Sequence, residues 1–268
     1  MQHNTKQPNI KEPDKTFKKV YIIGAGPGDP ELITVKGQRI LEAADTVIYA
    51  GSLVNIELLK HVKPGCEIYN SAEMTLEEII SIIEHDFKEG KIVARLHSGD
   101  PSIYGAIREQ MDSLERKSIP FEVVPGVSSF CAAAAVMKQE YTLPGVSQTV
   151  ILTRMKGRTE VPEKESIESL AIHRGSMVIF LSIHMLEELV ERLQQGYDDD
   201  TPVAVVYKAT WPEQKLIKGT LANICEKVKK EQIDKTALVI VGEFMGDEYE
   251  LSKLYDKNFP HGYRNKKT

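Results

Sequence analysis

Short runs of β-branched and other apolar residues alternate with longer segments of helical periodicity along most of the chain. In the first half five such runs predict strands, at residues 20–23, 46–49, 67–69, 92–96 and 121–124. The clearest helix is predicted over residues 75–89, where Thr75 and Glu78 form a capping box and Gly90 supplies the stop. Strands and helices that alternate in this way are typical of a layered α/β fold.

The pattern breaks around residues 143–147 and then restarts, which predicts a second α/β unit. Its strands are predicted at residues 149–153, 177–181, 203–207, 215–218 and 237–241. The third and fourth are joined by a short segment, so they should form an antiparallel hairpin and make the sheet mixed. The predicted organisation is a disordered tail at 1–18, an N-terminal α/β domain at 19–145, a C-terminal α/β domain at 146–245 and a polar tail at 246–268.

The composition limits the kinds of function that we expect of this chain. The chain has 268 residues and a net charge of −5, so it has no overall basic character for binding nucleic acid. Its apolar stretches are too short to span a membrane, and the polar start does not resemble a secretory leader. Three distant cysteines and seven scattered histidines predict neither a disulfide framework nor a metal site. We expect a cytoplasmic protein with reduced thiols.

Three glycine-containing loops directly follow predicted strands. They read GAGPGDP at 24–30, HSGDPSIYG at 97–105 and PGVSS at 125–129. For one such loop, an ordinary tight turn is the simpler interpretation, with Ser128 acting as a helix cap. Three loops at the ends of parallel strands would meet at one edge of the sheet, which favours a shared binding site there.

The loop chemistry indicates a cationic ligand with hydroxyl groups. The dinucleotide fingerprint fails because Asp29 stands where its third glycine is needed, and no lysine completes a phosphate-binding loop. The carboxylate of Asp100 would also repel an anion. S-adenosylmethionine, with its sulfonium, ammonium and ribose hydroxyls, fits these loops better than ATP.

Taken together, the three motifs resemble the tetrapyrrole methylase family, and the resemblance runs from about residue 19 to about residue 242. It implies a non-Rossmann methyltransferase fold of two α/β domains, with S-adenosylmethionine folded between them and S-adenosylhomocysteine as the product. It also implies a homodimer. Carried over position by position, the cofactor contacts fall on Pro27, Ser98, Gly99, Asp100, Ile103, Ser128, Ser129, Leu181 and Ala209. For Leu181 and Ala209, core packing is the alternative.

Further segments, at residues 148–154, 157–159, 161–163 and 205–212, resemble the branch of the family that methylates precorrin-4 in cobalamin (vitamin B12) biosynthesis. The resemblance implies methyl transfer to carbon C11 of precorrin-4 or cobalt-precorrin-4. The uroporphyrinogen-III branch carries an aspartate in the loop after its second strand, and residues 49–54 contain none. The alternatives are a sister tetrapyrrole methylase acting at another ring position and a non-catalytic sensor that binds S-adenosylmethionine.

Methyl transfer from a sulfonium to carbon needs alignment more than acid–base help, and the sequence leaves the identity of any catalytic base open. The tetrapyrrole partner is anionic, which makes cations in the second domain its candidate contacts. Those favoured are Arg154, Arg158 and Lys208, with Arg95, Arg108 and Lys156 as further candidates. A solvated basic loop is the alternative interpretation of residues 154–158. His97, Tyr104 and Trp211 are each candidates for ligand contact or for structural packing.

Overall fold

The computed structural model describes residues 19–252 together with residues 256 and 259. This described part holds ten strands and seven α-helices. The strands are β1 (Val20–Gly24), β2 (Thr46–Tyr49), β3 (Glu67–Asn70), β4 (Val93–His97), β5 (Phe121–Val124), β6 (Val150–Arg154), β7 (Ser176–Phe180), β8 (Pro202–Tyr207), β9 (Lys215–Thr220) and β10 (Ala237–Val241). The helices are α1 (Val35–Ala43), α2 (Leu76–Lys88), α3 (Arg108–Arg116), α4 (Ser129–Met137), α5 (Ile167–Ala171), α6 (Leu186–Leu193) and α7 (Ile224–Lys230).

Contacts divide the described chain into two compact units. The first unit contains residues up to Gly26 and Pro30–Gly126, and the second contains Pro27–Asp29 and the chain from Val127 onward. The boundary therefore lies at residue 126 and not at the predicted residue 145. The reason is that Tyr141 is anchored in the second unit, where its ring lies 5.1 Å from that of Phe244 and its carbonyl accepts a hydrogen bond from the Ser176 hydroxyl.

The first unit is built on a five-stranded parallel sheet with the strand order β3-β2-β4-β1-β5. Side chains of β1 alternate between its two faces. Ile23 packs with Leu41 of α1 on one face, and Val20 packs with Ile83 of α2 and Leu114 of α3 on the other. Burial on both faces explains why β1 is a continuous apolar run in the sequence.

Local signals in the first unit are confirmed. Thr75 and Glu78 form the predicted capping box at the start of α2, and Gly90 follows the helix with φ +76°. After β1 the chain turns through a short 3-10 helix, Pro30–Leu32, before α1 begins behind its N-cap Thr34. The glycine loop after β1 is therefore a true loop and does not lead straight into a phosphate-binding helix N-terminus.

The second unit contains a mixed five-stranded sheet with the order β6-β7-β10-β8-β9. Its core includes Met177, Ile179, Leu189, Val205 and Val239. Strands β8 and β9 form the predicted antiparallel hairpin. Strand β10 runs antiparallel to both β7 and β8, and β6 runs parallel to β7. The carboxyl ends of β6, β7 and β8 therefore lie at one edge of the sheet, which we call the β6–β7–β8 edge.

Most residues of the two predicted tails lie outside the described residues. Residues 1–18 lie outside the described residues, and the polar segment from 246 is described to 252, where it contains no helix or strand. None of the helices in the described ranges is long and apolar enough to cross a membrane.

Candidate functional site

The predicted meeting of loops at one edge of the first sheet is confirmed. Strand β1 lies between β4 and β5, and all three run parallel. The loops after β1 and β4 are joined by two hydrogen bonds, from the Gly26 N–H to the Gly99 carbonyl at 3.3 Å and from the Gly99 N–H to the Gly26 carbonyl at 2.8 Å. The loop after β5 is tied to the same place because the Gly126 N–H donates to Asp100 Oδ2 at 2.9 Å.

The glycines at this edge are explained by contact between loop backbones. A Cβ on Gly126 would lie 2.1 Å from the Gly99 carbonyl oxygen, and a Cβ on Gly24 would lie 2.5 Å from the Gly126 Cα. Distances this short are impossible for carbon. We expected glycine here so that a ligand could approach the main chain. The structure instead shows that glycine first lets the three loops approach one another.

Asp100 fastens these loops together. Its Oδ1 accepts hydrogen bonds from the Ser102 N–H at 2.8 Å and the Ser102 hydroxyl at 2.5 Å, while Oδ2 accepts from Gly126. Burial alone would raise the pKa of this carboxyl group, but the bonds from Ser102 and Gly126 outweigh burial and lower it. Asp100 is therefore ionised at neutral pH. A carboxylate has about four acceptor positions, so one remains for a ligand.

Beneath the loop after β4 lie two buried basic side chains, Arg95 and His97. Arg95 donates to the Gln110 side chain and to the carbonyls of Ile48 and Leu96, and burial lowers its pKa to about 10. Burial and the nearby Arg95 charge lower the pKa of His97 to about 3, and its Nε2 is buried without a hydrogen-bond partner within the described ranges. Arg95 supports the strand ends, so it is a poor candidate for substrate contact.

Two predicted cofactor residues of the second unit lie at the β6–β7–β8 edge. Leu181 directly follows β7, and Ala209 follows β8. Leu181 is 64% exposed, which excludes core packing for this side chain, whereas Ala209 is only 6% exposed. Leu181 also has φ +54°, an unfavourable backbone conformation for leucine. A large apolar side chain is thus held in solvent at a cost in backbone energy.

Positive-φ residues other than glycine are frequent in these loops. Tyr104 and Ala106 occur in the loop after β4, Leu181 follows β7, and Lys208 and Thr210 follow β8, with φ between 44° and 69°. Such conformations persist only where the surroundings enforce them, and they are found disproportionately at functional sites. Five of the ten such residues in the described part of the chain occur in these loops, which makes the loops candidates for ligand binding.

Residues 208–214, which we call the β8–β9 connector, also hold the segment Pro27–Asp29. The indole Nε1 of Trp211 donates to the Pro27 carbonyl at 2.8 Å, and the Asp29 N–H donates to the Thr210 hydroxyl at 2.9 Å. Pro27, a predicted cofactor residue, is buried there. The sequence does not predict this arrangement, because no local pattern links residues more than 180 positions apart.

The favoured cations have different environments. Arg154 ends β6, and its guanidinium donates to the carbonyls of Met155, Thr159 and Glu160, so it shapes the basic loop. Arg158 is exposed on that loop and makes no hydrogen bond or ion pair with any residue that the structure describes. Lys208 pairs with Glu213 at 3.3 Å, and its Nζ lies 5.3 Å from the centre of the Trp211 ring.

A cavity of about 400 Å³ lies beside the basic loop, lined in part by Arg154, Lys156, Glu160, Glu163 and Arg192. Lys156 pairs with Glu160 at 2.7 Å, and Arg192 pairs with Glu168 at 2.6 Å. The charges of the cavity are thus largely balanced within the protein. The described residues contain no cluster of side chains suited to a metal ion.

The remaining predicted residues occupy simpler positions. Ser98, Gly99 and Ile103 belong to the loop after β4, and the Ile103 N–H donates to the Asp100 carbonyl at 3.2 Å. Ser128 is the N-cap of α4 and Ser129 its first residue, but the Ser128 side chain makes no capping hydrogen bond. Ser128 is buried, and its hydroxyl is not needed to cap the helix.

Comparison with known proteins agrees with this geometry. The family of tetrapyrrole (corrin/porphyrin) methylases matches residues 19–225. A cobalt-precorrin-4 C(11)-methyltransferase of Methanocaldococcus jannaschii is 58% identical over 249 residues, which are 92% of this chain and 96% of that protein. A solved cobalt precorrin-4 methyltransferase, described as a cobalamin biosynthetic enzyme, has a TM-score of 0.84 and 45% identity, with coverage of 88% of this chain and 100% of that one.

A uroporphyrin-III C-methyltransferase from Thermus thermophilus, solved with S-adenyl homocysteine, is 29% identical with a TM-score of 0.70. The match covers 85% of this chain and 93% of that one. One explanation therefore accounts for the two α/β units, their strand orders and their loop motifs: the chain belongs to the tetrapyrrole methylase family.

Proposed function

We propose that this protein transfers a methyl group from S-adenosylmethionine to carbon C11 of precorrin-4 or cobalt-precorrin-4 in cobalamin biosynthesis. The observation that carries the proposal is the similarity, over nearly the whole chain, to the C(11)-methyltransferase of Methanocaldococcus jannaschii. The absence of an aspartate from residues 49–54 also separates this chain from the pattern of the uroporphyrinogen-III branch.

The residues present fit S-adenosylmethionine. Asp100 is ionised and keeps one free acceptor position, which suits a cationic or hydroxyl-bearing ligand. Leu181 offers exposed apolar surface at the end of β7. When bound, S-adenosylmethionine supplies an electrophilic methyl group on a positively charged sulfur. The residues that would hold it are Pro27, Ser98, Gly99, Asp100, Ile103, Ser128, Ser129, Leu181 and Ala209.

The protein's contribution to the reaction is alignment and exclusion of water. A carbon of the electron-rich macrocycle is the nucleophile, so no side chain has to be activated for attack. His97, at the end of β4, is buried, and its lowered pKa keeps it neutral at the pH of a living cell. The strained loops are fixed in advance by the Gly26–Gly99 and Asp100–Gly126 hydrogen bonds, which reduces the ordering cost of ligand binding.

Binding of the acidic macrocycle requires cationic side chains that can pair with its carboxylates, and Arg158 is the strongest candidate. Its guanidinium is exposed, and a free guanidinium can bind a carboxylate through two parallel hydrogen bonds. Lys208, whose ammonium group is paired with Glu213, is the second candidate and lies at the β6–β7–β8 edge. Arg154 acts less directly, because three of its N–H groups hold the backbone of the loop that carries Arg158.

Incubation with S-adenosylmethionine and precorrin-4, with and without cobalt in the ring, tests the proposal. Mass spectrometry should show one added methyl group on at least one of the two substrates, together with S-adenosylhomocysteine. Binding of S-adenosylmethionine without turnover on either substrate would instead favour a sensor. We also infer from the family resemblance a cytoplasmic homodimer, and a solution mass near the 30.1 kDa of one chain would contradict the dimer.

A further inference from the structure

Trp211 is the only tryptophan of the chain, and it contacts the segment Pro27–Asp29 in two ways. Its indole N–H donates to the Pro27 carbonyl at 2.8 Å. Its ring packs so closely on Gly28 that a Cβ there would lie 2.2 Å from Trp211 Cδ1. Gly28 needs no positive φ, so the indole itself is the reason that this position must be glycine.

Hydrogen bonds and unusual backbone conformations in the β8–β9 connector hold the indole in place. The Lys208 N–H donates to the Thr236 carbonyl at 2.9 Å, and the Gln214 side chain accepts from the Thr210 N–H at 2.7 Å. Lys208 and Thr210 adopt φ of 44° and 69°, and for β-branched threonine this conformation is a genuine outlier. Thr210 also accepts the hydrogen bond from the Asp29 N–H, so the connector is hydrogen-bonded to both ends of the segment Pro27–Asp29.

We propose that Trp211 is a positioning residue for the methyl donor. The inference rests on the proposed function. Pro27 and Ala209 are both assigned to the cofactor, and Trp211 bonds to the first and lies two positions after the second. The only polar atom of its side chain is already used within the protein, so Trp211 acts through Pro27–Asp29 and does not take part in the reaction itself.

Trp211→Phe separates the hydrogen bond from the packing, because phenylalanine keeps an aromatic ring over Gly28 but has no N–H. We expect the dissociation constant for S-adenosylhomocysteine and the KM for S-adenosylmethionine to rise roughly two- to twelvefold, the range of one neutral hydrogen bond. The kcat and the affinity for the tetrapyrrole should stay within twofold of wild type. Tyr249→Phe removes one polar group from an exposed aromatic ring outside the connector, so it is the matched control and should behave as wild type.

Gly28→Ala tests the same contact from the other side and serves if Trp211→Phe does not fold. Alone it should weaken S-adenosylhomocysteine binding, because the new methyl group displaces the indole. In a Trp211→Ala background the steric conflict is gone, so Gly28→Ala should add little further loss. This dependence on the partner residue is what a direct contact predicts.

The outcomes separate this inference from the proposed function. If wild-type protein does not bind S-adenosylhomocysteine by calorimetry, the proposed function fails. If wild type binds it and Trp211→Phe binds it equally well, or if the two Gly28 and Trp211 losses simply add, the positioning role is overturned. Equal loss of donor and tetrapyrrole affinity, with a lower melting temperature, would show Trp211 to be merely structural.

Discussion

Asp100 accepts two hydrogen bonds within the loop after β4 and one from the loop after β5. We predict that Asp100→Asn weakens both stability and S-adenosylhomocysteine binding. The asparagine Nδ2 group would face the N–H of half-buried Gly126 or of exposed Ser102, and loss of one hydrogen bond to a charged carboxylate costs about 1.5–3 kcal/mol. Urea unfolding and calorimetric titration measure the two effects.

Asp112→Asn is the control for this change. Asp112 pairs with exposed Arg108 on α3, so its loss should alter stability by no more than about 0.5 kcal/mol and leave binding unchanged. Wild-type stability and wild-type ligand affinity in Asp100→Asn would contradict the role assigned to this carboxylate.

His97 should make the protein sensitive to mild acid. Its pKa falls from 6.5 to about 3 on folding. Between these two pH values the unfolded chain therefore binds a proton at His97 that the native state does not bind. The stabilisation is complete above about pH 6.5 and is lost progressively as the pH falls towards 3. Between pH 7 and pH 5 the loss from this one group is roughly 2 kcal/mol.

Urea unfolding of wild type and His97→Gln at both pH values isolates this contribution, since glutamine does not titrate in that range. The variant should lose about 2 kcal/mol less than wild type between pH 7 and pH 5. An imidazole NMR titration of the folded protein with a midpoint near 6.5 would refute the neutral, buried state of His97.

At the level of whole elements, the close approach of three strand-end loops depends on glycine. Gly126→Ala would place a methyl group 2.1 Å from the Gly99 carbonyl, so the loops after β4 and β5 must separate. Overpacking of this kind typically costs about 1–3 kcal/mol, and S-adenosylhomocysteine binding should fall with it. Gly157→Ala is the matched control, because among the described residues none beyond its own chain neighbours lies within 4 Å of its added Cβ. Equal melting temperatures for the two variants would be inconsistent with this packing.

The sequence predicts those elements whose stabilising interactions join residues that are close together along the chain. The strands and the α2 capping box depend on neighbours a few residues apart, and they occur where the pattern placed them. The boundary at residue 126 depends on Tyr141 meeting Phe244, which no local pattern contains. The same holds within the site: the motif loops were recognisable, whereas the Trp211–Pro27 bond and the exposed, strained Leu181 arise from tertiary structure.

For the molecule as a whole, the two ligands should depend on different residues. We predict that Arg158→Ala weakens binding of an acidic porphyrin such as uroporphyrin roughly two- to fivefold, as expected for one exposed ion pair, with no change for S-adenosylhomocysteine. Lys229→Ala removes the same charge from the exposed side of α7 and is the control for net charge. Equal loss of both affinities in Arg158→Ala, or equal porphyrin losses in the two variants, would argue against a substrate contact at Arg158.

The most direct test of the whole account is the position of the transferred carbon. Precorrin-4 and its cobalt form are each incubated with the protein and with S-adenosylmethionine whose methyl group carries carbon-13, and the products are studied by carbon NMR. The account predicts a single enriched methyl group attached to C11. Label on another ring carbon, or no incorporation into either substrate by protein that binds S-adenosylhomocysteine, would contradict it.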